Sequence, residues 1–204
     1  MTKNTLKNDI YNPEALITGA NFLVSTTGTI VLTENEGNIL KSTSFAPIHI
    51  IVAGIDKLIT SIDELAVLLP LSSIYEPNKN VSSLYNFINK PLSDGENVQK
   101  LYLILLNNNR TEVLSKEKQR TVLSCIQCGA CVYQCPIYNT IGGHIYNNNL
   151  PGPIGSIILP ITKGMEEASH LCSLCTSCGR CDEVCPVNIS LKDLILENKK
   201  DLVK

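Results

Sequence analysis

Eight of the nine cysteines in this 204-residue chain fall into two runs of identical spacing, and thiolates so spaced are metal-cluster ligands. The first run is Cys125-x2-Cys128-x2-Cys131-x3-Cys135-Pro136, and the second is Cys175-x2-Cys178-x2-Cys181-x3-Cys185-Pro186. A cubane must be gripped from several directions, and cysteines at intervals of three on a short looping backbone can do that. In two-cluster proteins the fourth cysteine, carried past by the x3 step and its proline, ligates the other cluster. By that rule Cys125, Cys128 and Cys131 with Cys185 hold one 4Fe-4S cluster, and Cys175, Cys178 and Cys181 with Cys135 hold a second. The chemistry to expect is one-electron transfer. Gly129 and Gly179, at matching places inside the runs, suit a turn with positive φ or close backbone approach to sulfur. Pro136 and Pro186 fix φ after the donated cysteine and remove a backbone donor there.

Zinc is the competing ligand set, because four thiolates also make a tetrahedral structural site. Zinc needs neither the second x2 step nor the Cys-x3-Cys-Pro ending, and here both occur twice. A disulfide framework would need an oxidising compartment, and no N-terminal stretch joins a charged region to an apolar one as an export signal does. Cys172, three residues before Cys175, reads as a free thiol or one standing behind the ligands. No carboxylate or nucleophile accompanies His49 in its strand, so it reads as a core or edge histidine. His144, beside Gly142-Gly143, reads as part of a structural loop, and Thr27-Gly28-Thr29 as a strand connection. Lys199-Lys200 reads as a solvated helix end.

The elements that must position these residues divide near residue 120. Upstream there is no cysteine, and strands alternate with helices. The stretch 22–33 reads as two strands or one bent strand around Thr27-Gly28, with a turn at 34–37. Residues 48–53 and 101–106 are near-continuous apolar runs, the pattern of strands covered on both faces. Ser61-x-x-Glu64 is a capping box for a helix carrying Leu65, Leu68 and Leu69, which Pro70 kinks or ends. A helix over 117–123 leads to Cys125. Strand, helix, strand in this order predicts a parallel α/β sheet, with an apolar edge that another chain or an upstream segment should cover. Downstream, the cysteine runs should sit on loops and short helices. The Gly142-Gly143, Pro151-Gly152-Pro153 and Gly155 segment reads as an irregular loop over the clusters. Ser190 should cap a final helix over 191–202, and bound metal should stabilise this small domain as much as its core does.

Composition narrows the function classes. A formal charge of −2 offers no basic field for nucleic acid. With no tryptophan there is little to build a base-stacking platform. No apolar run approaches the roughly 18 residues that read as a membrane span, which points to a cytoplasmic protein.

Several short motifs taken together carry a family resemblance. Ile17-Thr-Gly-Ala-Asn-Phe22, Thr27-Gly-Thr-Ile-Val-Leu32, Glu34-Asn-Glu-Gly37, Pro47-Ile-His49, the two cysteine runs, Ile141-Gly-Gly-His144 and Pro151-Gly-Pro-Ile-Gly155 resemble the lactate utilization protein B family, the iron-sulfur subunit of the bacterial lactate-utilisation system. The resemblance implies a LUD domain of the NagB/RpiA-like α/β class at 17–115, after an N-terminal segment 1–16, and a mostly helical ferredoxin-type domain with two 4Fe-4S clusters at 116–204. It implies a role in oxidising L-lactate to pyruvate with two partner subunits, one bearing CCG domains and one a second LUD domain, and an electron acceptor it does not identify. Family members are about twice this length, so the chain reads as N-terminally truncated within the LUD domain. The family has Glu where Thr26 stands, so no ligand role is carried to that loop. No acid-base pair points to hydrogen abstraction by this chain, which reads as an electron-transfer subunit. The alternatives are the same part of another oxidoreductase, of glycolate oxidase or heterodisulfide reductase type, or an α/β ligand-binding protein with structural metal sites.

Overall fold

The computed structural model describes residues 11–75, 84–93, 99–146 and 150–202. The chain forms two compact units, one of Met1–Leu69 with Asn80–Asn107 and the other of Pro70–Lys79 with Asn108–Lys204.

The first unit holds two sheets. β1 (Leu16–Thr18), β4 (Ile48–Gly54) and β7 (Lys100–Leu106) form a three-stranded sheet in the order β1-β4-β7, with both pairings parallel. β5 (Leu58–Ile59), β2 (Phe22–Val24), β3 (Thr29–Glu34) and β6 (Leu84–Ile88) form the second, in the order β5-β2-β3-β6. This second sheet is mixed, since β3 pairs antiparallel with β2 and β6 while β5 pairs parallel with β2. Stretch 22–33 is therefore two strands. Gly28, at φ 69, turns the chain between them, and its N–H goes to the Val24 carbonyl at 2.9 Å. Leu23, Ile30, Leu32, Ile51 and Ala53 form the core of this unit.

Glu34 does more than open a turn. Its carboxylate, on a buried residue, accepts the Ile39 and Leu40 N–H groups at 2.8 Å each, and the Asn86 amide at 2.6 Å. It thereby caps a helix absent from the sequence reading, α1 (Asn38–Phe45), whose Asn, Ser and Thr residues are weak helix formers. The capping box at Ser61 is present, with the Ser61 N–H on Glu64 Oε1 at 3.0 Å. It opens on a 3-10 turn, Ile62–Glu64, and α2 (Leu65–Ile74) then runs through Pro70 without ending there.

β7 departs from expectation. The apolar run 101–106 is no buried strand: Tyr102, Leu103, Ile104, Leu105 and Leu106 are each 44–52% exposed. Among the described residues β7 stands at the end of its sheet, and its successive side chains point to opposite faces, so both faces are about half open. β4, in the middle, buries one face fully and the other by half.

The second unit is helical. The single helix expected over 117–123 is instead α3 (Arg110–Ser115), started by left-handed Asn109 at φ 63, and a 3-10 segment Gln119–Ser124. Buried Val113 and Val122 hold these two pieces to the core. There follow α4 (Ala130–Tyr133), α5 (Pro136–Ile141), the 3-10 turn His144–Tyr146, α6 (Gly152–Thr162), α7 (Met165–Ser173), α8 (Arg180–Glu183) and α9 (Leu191–Leu202). α6 overturns the reading of 151–155 as irregular loop. Pro151 stands at its cap and Pro153 in its first turn, where no intrahelical N–H is required, and the helix continues through Pro160. Gly155 lets the Leu150 carbonyl lie where any Cβ would collide with it. Ile154, Ile157, Ile189, Leu191, Leu194 and Ile195 pack the centre of the unit. Among the described residues no helix is long and apolar enough to cross a membrane.

Candidate metal centre

The two cysteine runs fold alike. Gln127 and Ser177 are left-handed at φ 58 and 59, and Gly129 and Gly179 follow at φ 79 and 83. The glycines cap the one-turn helices α4 and α8 that carry Cys131 and Cys181. In each run the N–H two residues after the first cysteine points back at its sulfur, Gln127 to Cys125 Sγ at 3.4 Å and Ser177 to Cys175 Sγ at 3.3 Å. A hairpin of positive-φ residues thus wraps three thiols around one space, and only glycine takes two of those positions without strain.

Two hollows result, and each mixes the runs. One, of about 190 Å³, is lined by Cys125, Cys128, Cys131 and Cys185. The other, of about 30 Å³, is lined by Cys135, Cys175, Cys178 and Cys181. The x3 step carries Cys135 and Cys185 out of their own loops and into the opposite hollow. α4 packs on α8, and the Cys131 and Cys181 thiols stand close enough to feel one another's charge. No disulfide joins any of the nine cysteines.

Charge makes these thiols poor company for one another until a cation arrives. Burial pushes Cys131 up to about 12, and neighbouring Cys125, Cys128 and Cys185 push the same way, against an N–H from Ile154 at the start of α6. Burial also takes Cys181 up to about 12, aided by the Asp182 carboxylate beside it. Cys128 is raised by burial too. Metal binding to such thiols must release protons. Backbone donors already wait for the charged form, as in the Ile189 N–H on Cys185 Sγ at 3.3 Å.

Among the described residues no three His, Cys, Asp or Glu side chains gather closely enough to hold a single metal ion. Four thiols line each hollow, a donor set of the kind that 4Fe-4S clusters take.

The remaining sequence candidates scatter. Cys172 is 0% exposed, its thiol raised by burial and donating to the Ser156 carbonyl at 3.2 Å, so it stands behind the second hollow as structure. His144 is exposed and lines neither hollow, while its neighbour Tyr146 lines the second. His49 is 0% exposed on β4, with Nε2 2.8 Å from Thr18 Oγ1.

Lys199 is not a solvated helix end. Its Nζ donates to the Cys175 carbonyl at 2.7 Å. The signal was present in the helical period: Lys199 lies four residues after Ile195 and eight after Leu191, on the buried stripe of α9.

Comparison with known proteins matches both parts of the chain to families. Residues 2–108 match the LUD domain family, and residues 121–189 the 4Fe-4S dicluster domain. An uncharacterized electron transport protein of Escherichia coli strain K12, YkgF, is 36% identical over 200 residues, covering 97% of this chain and 42% of that protein. Lactate utilization protein B of Bacillus cytotoxicus is 35% identical over 201 residues, with 98% and 42% covered. A solved DUF162 family protein from Deinococcus radiodurans aligns with a TM-score of 0.35 and 19% identity, over 47% of this chain and 55% of that one. The chain spans about two fifths of the length of the curated relatives it matches.

Proposed function

This chain belongs to the LUD domain family and joins that domain to a 4Fe-4S dicluster domain, and from this we propose that it is the electron-transfer part of a lactate-oxidising complex. In this reading a partner takes two electrons from L-lactate as pyruvate forms, and the electrons pass singly through this chain to an acceptor. A CCG-domain subunit and a second LUD-domain subunit are the partners that the resemblance implies. The N-terminal unit would be a part of a NagB/RpiA-like α/β domain, a reading supported by the parallel β1-β4-β7 sheet.

The observation that carries the proposal is the crossed lining of the two hollows, three thiols from one run and the fourth from the other in each case. Bound there, 4Fe-4S clusters supply one-electron chemistry at potentials set by charge, burial and hydrogen bonds to sulfur. The protein's share is to hold eight thiolates, aim N–H groups at Cys125, Cys175 and Cys185, and wall the first hollow with Ile154, Val187 and Leu191. The short path between the hollows runs through the packed α4 and α8. Among the described residues no carboxylate lines either hollow.

Anaerobic iron and acid-labile sulfide analysis, with EPR after dithionite reduction, tests the reading. The expected result is about eight iron and eight sulfide per chain, with a reduced signal broadened by coupling between two centres. Zinc without sulfide would remove electron transfer from the account.

A further inference from the structure

The two hollows differ in charge. Among the described residues no Lys, Arg, Asp or Glu lines the first, which is walled by apolar and amide side chains. Arg180 and Lys192 line the second, and Lys199 reaches the carbonyl of its ligand Cys175. These cations are not equivalent. Lys192 Nζ stands 3.9 Å from the Asp193 carboxylate, and its own N–H holds Asp182, the acid beside Cys181, at 2.8 Å. Lys200 turns outward to Glu197 at 3.2 Å. Lys199 alone of the three lysines places its ammonium on the backbone of a cysteine run.

Its placement is built and not incidental. Asn198, the residue before it, is 1% exposed and donates its amide to the Ser156 and Ile157 carbonyls of α6 at 3.4 Å each. Ser156 Oγ reaches the Leu171 carbonyl of α7 at 3.1 Å, and Cys172 on α7 returns a bond to the Ser156 carbonyl. α6, α7 and α9 are thus pinned together by a buried polar cluster that fixes the rotation of α9 and delivers Lys199 over the loop opening at Cys175.

We propose that Lys199 is a positioning residue that raises the reduction potential of the centre held by Cys135, Cys175, Cys178 and Cys181, leaving the other centre unmoved. The inference rests on the two-cluster reading above. Reduction adds one electron and one negative charge to a cluster, so a fixed cation nearby favours the reduced form more than the oxidised one. The half-buried setting of the Lys199 bond weakens solvent screening. The two centres of this near-repeat would then differ in potential because the final helix sets an ammonium on the loop of only one of them, giving the electron a preferred resting place.

The test is an EPR-monitored potentiometric titration of the full chain and of Lys199→Met, Lys199→Gln and Lys199→Arg. In Lys199→Met one of the two one-electron steps should move to lower potential by roughly tenfold in its equilibrium constant, about 59 mV, while the other stays. Gln can keep a hydrogen bond to the Cys175 carbonyl but has no charge, and Arg keeps the charge. Lys199→Gln shifted down with Lys199→Arg near wild type is the expected pair. Gln matching wild type, or Met leaving both steps in place, overturns the proposal. Should Met lose half the iron, the Gln and Arg pair still decides. Wild-type protein without iron and sulfide would instead sink the two-cluster reading itself, so the two failures are distinguishable.

Discussion

Cys135 is the residue on which the crossed arrangement turns, since its own run would keep three thiols without it. Cys135→Ser should lose about half the iron, and the surviving EPR signal should be that of an uncoupled centre on the Cys125 loop. Cys128→Ser should leave the opposite centre, and the two spectra compared would assign each. If Cys135→Ser instead removed the centre of its own loop, the crossing would be wrong. His49 supports a different measurement. Burial holds its imidazole below the ordinary 6.5, so between the two values the unfolded chain binds the extra proton. Stability is then undiminished above about pH 6.5 and falls as the pH drops through the window beneath it. Urea midpoints of the first unit should decline from pH 7.5 to 5.5, and His49→Gln should flatten that decline. At this scale the sequence was most readable, because cysteine spacing is a local geometric statement. Lys199 escaped because its role depends on which way α9 is rotated, and a charged residue at a helix end is ordinarily solvated.

Elements were read less well, and each miss has a physical cause. α1 is held by Glu34 from outside the helix, an interaction that propensity does not contain. Glu34→Ala removes the cap and orphans the Asn86 amide, and should destabilise the first unit by about 2 to 4 kcal/mol in denaturant titration. Glu34→Gln should cost less. In α6 the glycines and prolines looked like loop residues, yet Gly155 is there because the Leu150 carbonyl occupies the place of a side chain. Alanine normally improves a helix interior by about 1 kcal/mol over glycine. Gly155→Ala should instead destabilise by about 2 to 3 kcal/mol, read by thermal or urea melting with iron content as a second readout. A stabilised Gly155→Ala protein would mean that the close approach is easily relieved. The apolar run 101–106 correctly foretold a strand, but hydropathy alone does not say which faces of a strand are covered.

At the scale of the whole molecule, the two units have separate cores, one at the junction of two small sheets and one among the helices that grip the thiols. Bound metal should stabilise the cysteine loops of the second unit, which contribute little apolar area of their own. Chelation of iron under air should melt α4, α8 and their loops while the strands of the first unit persist, seen as loss of helical circular dichroism with retained β signal. A single transition that takes both units together would show that their stabilities are shared. β7 carries the remaining consequence. Among the described residues the five apolar side chains from Tyr102 to Leu106 are about half exposed on both faces of β7, so any segment packed on that ribbon would take apolar area out of water and raise the stability of the first unit.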